Sequence, residues 1–403
     1  NVSRTVFVIG GGPAGMAAAL FAARAGAHAV LMEKNEKLGK KLYITGKGRC
    51  NVTSAAENLM NHIPRNPRFL YSAFACLSPD DLRDLLDEYG CPTKEERGER
   101  VFPVSEKASD VTKALERALK AAGVEIRLNA NVTALEPLLA RGAVVVATGG
   151  LSYPTTGSTG DGYRFAQQEG HALVAPKPSL IPLETREQWP KTLQGLSLKN
   201  VTLRAEVNGK KRYEEQGEML FTHFGISGPL TLSMSSHIAD DPPEAVCVTL
   251  DMKPALTVEQ LEARLQREFD ASPKKRVASI LPALLPARMA EIFPALCAVN
   301  GDILCAQVSR ADRRKIAETL KKIPMTIKGP RPIDEAIITR GGVPVSEVSP
   351  RDMMSRKRPG LFFAGEVLDV DGHTGGFNLQ IAFSTGALAG KSAAAWEENV
   401  ETY

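Results

Sequence analysis

Six residues near the start of the chain, Gly10-Gly11-Gly12-Pro13-Ala14-Gly15, have the types and spacing to hold a pyrophosphate. They follow a short apolar run, Thr5–Ile9, and lead into the helix-forming stretch Pro13–Ala25. In that setting the first glycine permits a tight turn and the second lets backbone approach the phosphates. The third allows strand and helix to pack closely. The helix N-terminus adds N–H groups and the positive end of its dipole. Glu33 lies 18 residues after Gly15, at the end of a second apolar run, Ala29–Met32. A carboxylate there accepts from both hydroxyls of a ribose, and its charge repels a 2′-phosphate. The chemistry expected is the holding of a dinucleotide.

That β-α-β unit alone does not separate NAD from FAD. Two later segments favour a flavin. Ala147-Thr148-Gly149-Gly150 closes a strand with small residues, which lets backbone approach a nucleotide from the other side. Ala364-Gly365-Glu366 is followed by Gly375-Gly376-Phe377-Asn378-Leu379-Gln380 and a helix, so a second helix N-terminus is presented. Such an N-terminus stabilises the negative charge that a reduced flavin carries at its N1–C2 edge. Gly157-Ser-Thr-Gly160-Asp-Gly162 has the wrong spacing for a second pyrophosphate turn. The expectation is therefore one resident dinucleotide and no separate NAD(P)H domain.

The elements that must position these residues follow from pattern and composition. The chain has 403 residues, 43% hydrophobic and 24% charged, values that fit a globular α/β protein of two or three domains. Amphipathic helices are expected over 78–90 and 106–122, strands over 124–128 and 143–147, and an alanine-rich helix over 379–395. Prolines 176, 178 and 182 mark a boundary, after which short β-like pieces alternate from Leu196 to Leu250. Residues 257–320 read as helical. The net charge is only +4, but residues 257–330 hold 13 basic against 8 acidic side chains. The six cysteines lack C-x-x-C or zinc spacing and read as reduced thiols, so no metal is expected and the reading is cytoplasmic. No run is long and apolar enough for a membrane span.

Several segments resemble a known family. Thr45-Gly-Lys-Gly-Arg-Cys-Asn-Val-Thr-Ser54, Leu220-Phe-Thr-His-Phe-Gly-Ile-Ser-Gly-Pro229, Thr339-Arg-Gly-Gly342 and Gly365-Glu-Val-Leu-Asp-Val-Asp-Gly-His-Thr-Gly-Gly-Phe-Asn-Leu-Gln380 are similar to those of bacterial NAD(P)/FAD-dependent oxidoreductases. That family includes aminoacetone oxidase and a dehydro-bile-acid reductase, within the wider fumarate-reductase-like flavoprotein superfamily. The resemblance covers nearly the whole chain. It implies a Rossmann-like FAD domain from both chain ends (1–178 with 346–403), an inserted antiparallel β domain (179–256 with 321–345) and a small helical cap (257–320). It further implies non-covalent FAD, with Gly10, Gly12 and Gly15 at the pyrophosphate, Glu33 at the adenosine ribose and Lys34 among the cofactor-binding residues. Val132 would hold the adenine by its backbone. Lys47, Arg49, Cys50 and Asn51 would lie near the flavin, with Thr148 and Gly149 close by. Gly365, Glu366 and Asp369 would line the ribityl–phosphate stretch, and Gly376, Asn378, Leu379 and Gln380 the isoalloxazine. Such enzymes usually run a β-meander before the Ala-Thr-Gly-Gly segment, for which only 133–142 is available here.

Each singled-out residue also has a plainer reading. Cys50 suits a small packed residue better than a redox thiol. Lys47 and Arg49 balance phosphates or a substrate anion, or else form a solvated face. Asp369 and Asp371 hold ribityl hydroxyls or cap a loop. His373, on a glycine-rich loop, and His223, in the inserted domain, are the candidates for proton transfer, against a turn residue and a hydrogen-bonded structural histidine. The basic helix with Arg313, Arg314 and Lys315 reads as a solvated face, so a nucleic-acid partner is not expected. Three functions remain: an NAD(P)H-dependent reductase of a small unsaturated or carbonyl compound, an amine oxidase producing hydrogen peroxide, and a non-catalytic flavin-containing binding protein. In the first, NAD(P)H docks transiently as electron donor. The oligomeric state is left open.

Overall fold

A computed structural model describes residues 4–398, which divide into two compact units. One holds the described chain up to Pro178 and again from Ile333; the other holds Ser179–Pro332. In the first unit, β1 (Thr5–Ile9) is the middle strand of a five-stranded sheet. The order is Leu361–Phe363, Ala143–Val146, β1, β2 (His28–Met32), Glu125–Arg127, and every pairing is parallel. Val6, Phe7 and Val8 are fully buried, which explains why the strand reads as a continuous apolar run rather than an alternating one.

The helix α1 (Pro13–Arg24) starts with proline at its first position, where the missing N–H costs nothing. It packs against the closing helix, Phe377–Ala395, and the two approach at backbone distance. A Cβ on Gly386 would collide with Ala14 O, and one on Gly390 with Ala18 O. The expected helices appear as Pro79–Glu88, where Ser78 and Asp81 form a reciprocal capping box, and Ala108–Ala121. In place of a β-meander, 133–142 carries a one-turn helix, Glu136–Leu139. Thr53–Ser54, Arg100–Pro103 and Thr93–Glu96 add a small antiparallel sheet.

The second unit is built on a closed six-stranded barrel, ordered Ser197–Val207, Lys210–Phe221, Gly225–Ser227, Leu183–Thr185, Ile323–Pro330, Val246–Asp251, with antiparallel pairings. Closure removes the open edges that a sheet of this size would expose. The segment expected as a separate cap shares its core with the barrel: Leu261, Leu265 and Phe269 of Val258–Ala271 and Ile316 of Arg310–Lys321 join the barrel's Leu203 and Leu250. The return to the first unit falls at Ile333 rather than 346. The physical reason is that Ile338–Gly342 pairs with Val174–Ser179, both in the first unit save Ser179 itself.

Candidate cofactor and active site

At the turn between β1 and α1, Gly10 adopts φ +104° and donates its N–H to Met32 O at 2.9 Å. A Cβ there would collide with Ala147 O, and one on Gly15 with Gly10 O, so these two glycines permit close packing. Gly12 is different. A Cβ added to it would meet nothing within 4 Å, which leaves open space beside the helix N-terminus. Glu33, only 9% exposed, accepts Gly11 N–H at 3.0 Å on one oxygen and Asn35 N–H at 2.8 Å on the other. Each carboxylate oxygen keeps a lone pair for a further donor. Val132, half-buried, lies two residues beyond Ala130, whose N–H donates to Glu33 O at 2.9 Å. Lys34 turns to Asp161 (2.9 Å) and Thr159 (2.7 Å), so its ammonium clamps two loops together.

The glycine-rich loop after β2 divides its residues in the same way. Arg49 bonds Glu96 (2.6 Å) and Glu106 (2.8 Å) and stacks over Phe102, which balances its charge within the protein. Lys47 is exposed, in the left-handed region at φ 56°. Cys50 is fully buried, and burial pushes its thiol up to about 12, against a bond from Thr45. It is a neutral packed residue, not a thiolate. Asn51 Oδ1 and, at the end of the Ala143–Val146 strand, Thr148 Oγ1 are buried without a hydrogen-bond partner among the described residues. Native interiors leave few such atoms unpaired, and a bound group is one reason for them. Gly149 follows Thr148 at φ +75°.

The segment from Gly365 to Gln380 is held largely by its own side chains. Glu366 pairs with Lys41 at 2.7 Å and accepts the N–H of Thr339. Arg65 bridges Asp369 (2.9 Å) and Asp371 (3.0 Å), both almost fully buried. Burial pushes the Asp371 carboxyl up, against the pull of Arg65 and Arg340. Asn378 zips its loop, accepting Gly372 N–H at 2.8 Å and donating to Gly372 O at 2.9 Å. Gln380 accepts from Thr53 Oγ1 at 2.6 Å and donates to Leu77 O and Ser384 Oγ. Leu379, between them, is half-buried. Gly365 and Gly376 take φ +78° and +93°. His373 donates its N–H to His62 O at 2.9 Å, and the His62 ring stacks on Phe377, centroids 4.2 Å apart. His62 and Arg65 carry no periodic or motif signal. The loop His62–Phe69, with its Asn-Pro turn, is the trace that would have drawn attention to them.

In the second unit, His223 is exposed on the tight turn that Thr222 and Gly225 close, its ring edge-on to Phe224. On the basic helix, Arg314 bonds Glu262 (2.9 Å) and Glu318 (2.7 Å), and Arg313 bonds Gln266. The open space at Gly12, the shielded carboxylate of Glu33 and the unpartnered Asn51 fit a bound dinucleotide such as FAD. No helix among the described residues is long and apolar enough to cross a membrane.

The sequence profile described as HI0933-like protein Rossmann domain matches residues 4–392. A 3-dehydro-bile acid delta(4,6)-reductase of Clostridium scindens is 30% identical over 404 residues, covering 96% of this chain and 98% of its own length. Ribosomal RNA dihydrouridine synthases of Haemophilus influenzae and Escherichia coli are 31% and 30% identical, each covering 94% of this chain and 95% of its own length.

Proposed function

This chain belongs to the HI0933-like Rossmann family, and we propose that it is a reductase that saturates a carbon–carbon double bond conjugated to a carbonyl, with NAD(P)H as the hydride source. Its family makes it an FAD-dependent oxidoreductase rather than a non-catalytic flavin carrier. One observation carries the substrate class: the relatives differ in molecule and agree in bond. A delta(4,6)-reductase of 3-dehydro bile acids works on double bonds in line with a 3-keto group. A dihydrouridine synthase saturates the C5=C6 bond of uracil, in conjugation with the C4 carbonyl. In either case hydride adds at the far end of the conjugated system, because the carbonyl oxygen takes up the developing charge. The carbon nearer the carbonyl then takes a proton. This reading admits a uridine within RNA among the substrates, which the charge distribution of the sequence does not favour.

FAD, when bound, supplies the two-electron relay between donor and substrate. The chain's residues do the rest. Gly12 and the N-terminus of α1 receive the pyrophosphate, and Glu33 accepts the ribose hydroxyls. Asn51 offers its unpartnered Oδ1 to the ring. His373, held through its backbone to His62, gives the proton to the carbon next to the carbonyl. The balance is one C=C bond replaced by two C–H bonds, one NAD(P)H oxidised and one proton taken from solvent.

The test is anaerobic incubation of the FAD-loaded protein with a 4-en-3-one steroid or a uridine oligonucleotide, each with NADH and with NADPH, read by mass spectrometry. A product heavier by two hydrogens, with one nicotinamide oxidised per double bond, is the expected result. Inertness toward both, with a small amine oxidised in air to give stoichiometric hydrogen peroxide, would overturn the reading in favour of an oxidase.

A further inference from the structure

A reductase of this kind needs a place for its donor, and the one pyrophosphate turn is suited to FAD: Glu33 beside it repels a 2′-phosphate. The first unit carries a groove of about 520 Å³ whose lining includes Asn66, Pro67, Arg68, Ser346, Pro350 and Arg356, none of them assigned to FAD by sequence. That volume is in the range of small-molecule sites. Arg68 and Arg356 are exposed, and neither guanidinium has a carboxylate or hydrogen-bond partner among the described residues. Of the arginines nearby, Arg65 is occupied by Asp369 and Asp371, and Arg358 by Glu136 and Glu169.

The groove is a built feature. One wall, 65–69, is fixed by the Arg65 ion pairs and by Asn66, whose amide reaches Asp369 O at 3.4 Å. The other wall is fixed to the same segment, since Val343 N–H donates to Val367 O and Asp369 N–H donates to Val343 O, both at 2.9 Å. Arg356 donates its backbone N–H to Glu347 O at 2.9 Å. Its neighbour Ser355 is buried, with Oγ 2.6 Å from His171 Nε2, while His171 Nδ1 lies 3.0 Å from Glu347. Two guanidiniums on one rigid groove match the double charge of a phosphate monoester better than the single charge of a diester in a nucleic-acid strand. The prolines give a flat apolar surface for a base or ribose. From His62, packed on Phe377 of the closing helix, to Arg68 the chain makes six steps, a reach of at most about 22 Å between those two residues.

We propose that this groove docks the 2′-phosphoadenosine end of NADPH, and that Arg68 and Arg356 select NADPH over NADH. The proposal rests on the reductase reading above. Its test is calorimetric binding of 2′,5′-ADP and of 5′-ADP to the FAD-loaded protein. The wild type is expected to bind 2′,5′-ADP at least tenfold more tightly, and Arg68→Ala with Arg356→Ala to lose that preference. Lysine at both positions should restore part of it. If the double variant fails to retain FAD, Arg68→Gln and Arg356→Gln are read singly, each with a several-fold loss expected. Equal binding of the two adenosines by the wild type, or an undiminished preference in the variants, overturns the proposal. So does a uridine oligonucleotide that binds through these arginines where 2′,5′-ADP does not. Chemically reduced enzyme separates the two levels. If it saturates an enone yet shows no preference for 2′,5′-ADP, only the groove assignment fails. If it keeps the preference and leaves enones untouched, the reductase reading fails instead.

Discussion

At the N-terminus of α1 a Cβ on Gly12 would meet nothing within 4 Å, whereas at the N-terminus of the closing helix a Cβ on Gly376 would collide with Thr53 O. Both glycines belong to segments that suggest a cofactor, yet they serve different ends. Gly12 leaves room for something from outside. Gly376 lets the protein's own backbone in, and its neighbours Asn378 and Gln380 direct their amides into the loop and the core. A helix N-terminus therefore borders open space at one place and packs against the protein's own backbone at the other. Side-chain placement, not the motif, distinguishes the two.

Alanine at Gly15 or Gly376 sharpens this contrast most. Each Cβ would overlap a backbone carbonyl, so a loss of about 4 kcal/mol or more is expected, read as a collapse of soluble yield or of the urea midpoint. A Gly376→Ala protein that melts like wild type would remove the comparison. Gln380→Ala leaves Thr53 Oγ1 without its partner in the core, while Leu77 O and Ser384 Oγ keep the bond between them, and should cost about 2 kcal/mol in urea unfolding. Gly12→Ala, at an ordinary φ of −81°, should leave the melting of the FAD-free protein within about 0.5 kcal/mol and weaken FAD at least tenfold by fluorescence titration. Unchanged FAD affinity would show that the open space is not the pyrophosphate's.

Thiol chemistry gives a smaller effect. The Cys50 thiol is raised by burial to about 12, so it should resist iodoacetamide at mildly alkaline pH and react once urea unfolds the chain. The sign for stability follows. A thiol raised in the folded state contributes fully below the ordinary thiol value and loses that contribution as pH climbs above it, where the unfolded chain ionises first. Urea midpoints falling above roughly pH 9, less steeply in Cys50→Ala, are expected. Smallest of all, Arg314→Gln should leave the urea midpoint nearly unchanged, because its ion pairs with Glu262 and Glu318 are solvent-screened.

The parts legible in the sequence are those whose causes are local. β1, α1 and β2 come from an apolar run, a helix-forming run and glycines at fixed spacing, and Pro79–Glu88 and Ala108–Ala121 from amphipathic patterning. The partner of Ile338–Gly342, Val174–Ser179, lies far away in sequence, so nothing local assigns that strand to the first unit. The same holds for the site. Gly10, Gly12 and Glu33 carry a spacing that pyrophosphate and ribose demand. Arg49, Lys34 and Asp369 look available in a string of letters, and only three dimensions supply Glu96, Asp161 and Arg65 as their partners. His62, Arg68, Arg356 and His171 sit in polar loops where no period reports burial or neighbours.

The most direct measurement is to photoreduce the FAD-loaded protein under argon and add an enone, with the matching isolated alkene and saturated ketone as controls. The account predicts that the oxidised flavin band returns in proportion to enone added, with the saturated product formed, and that neither control restores it. Return of the band only on admitting oxygen, with the enone recovered unchanged, would contradict it.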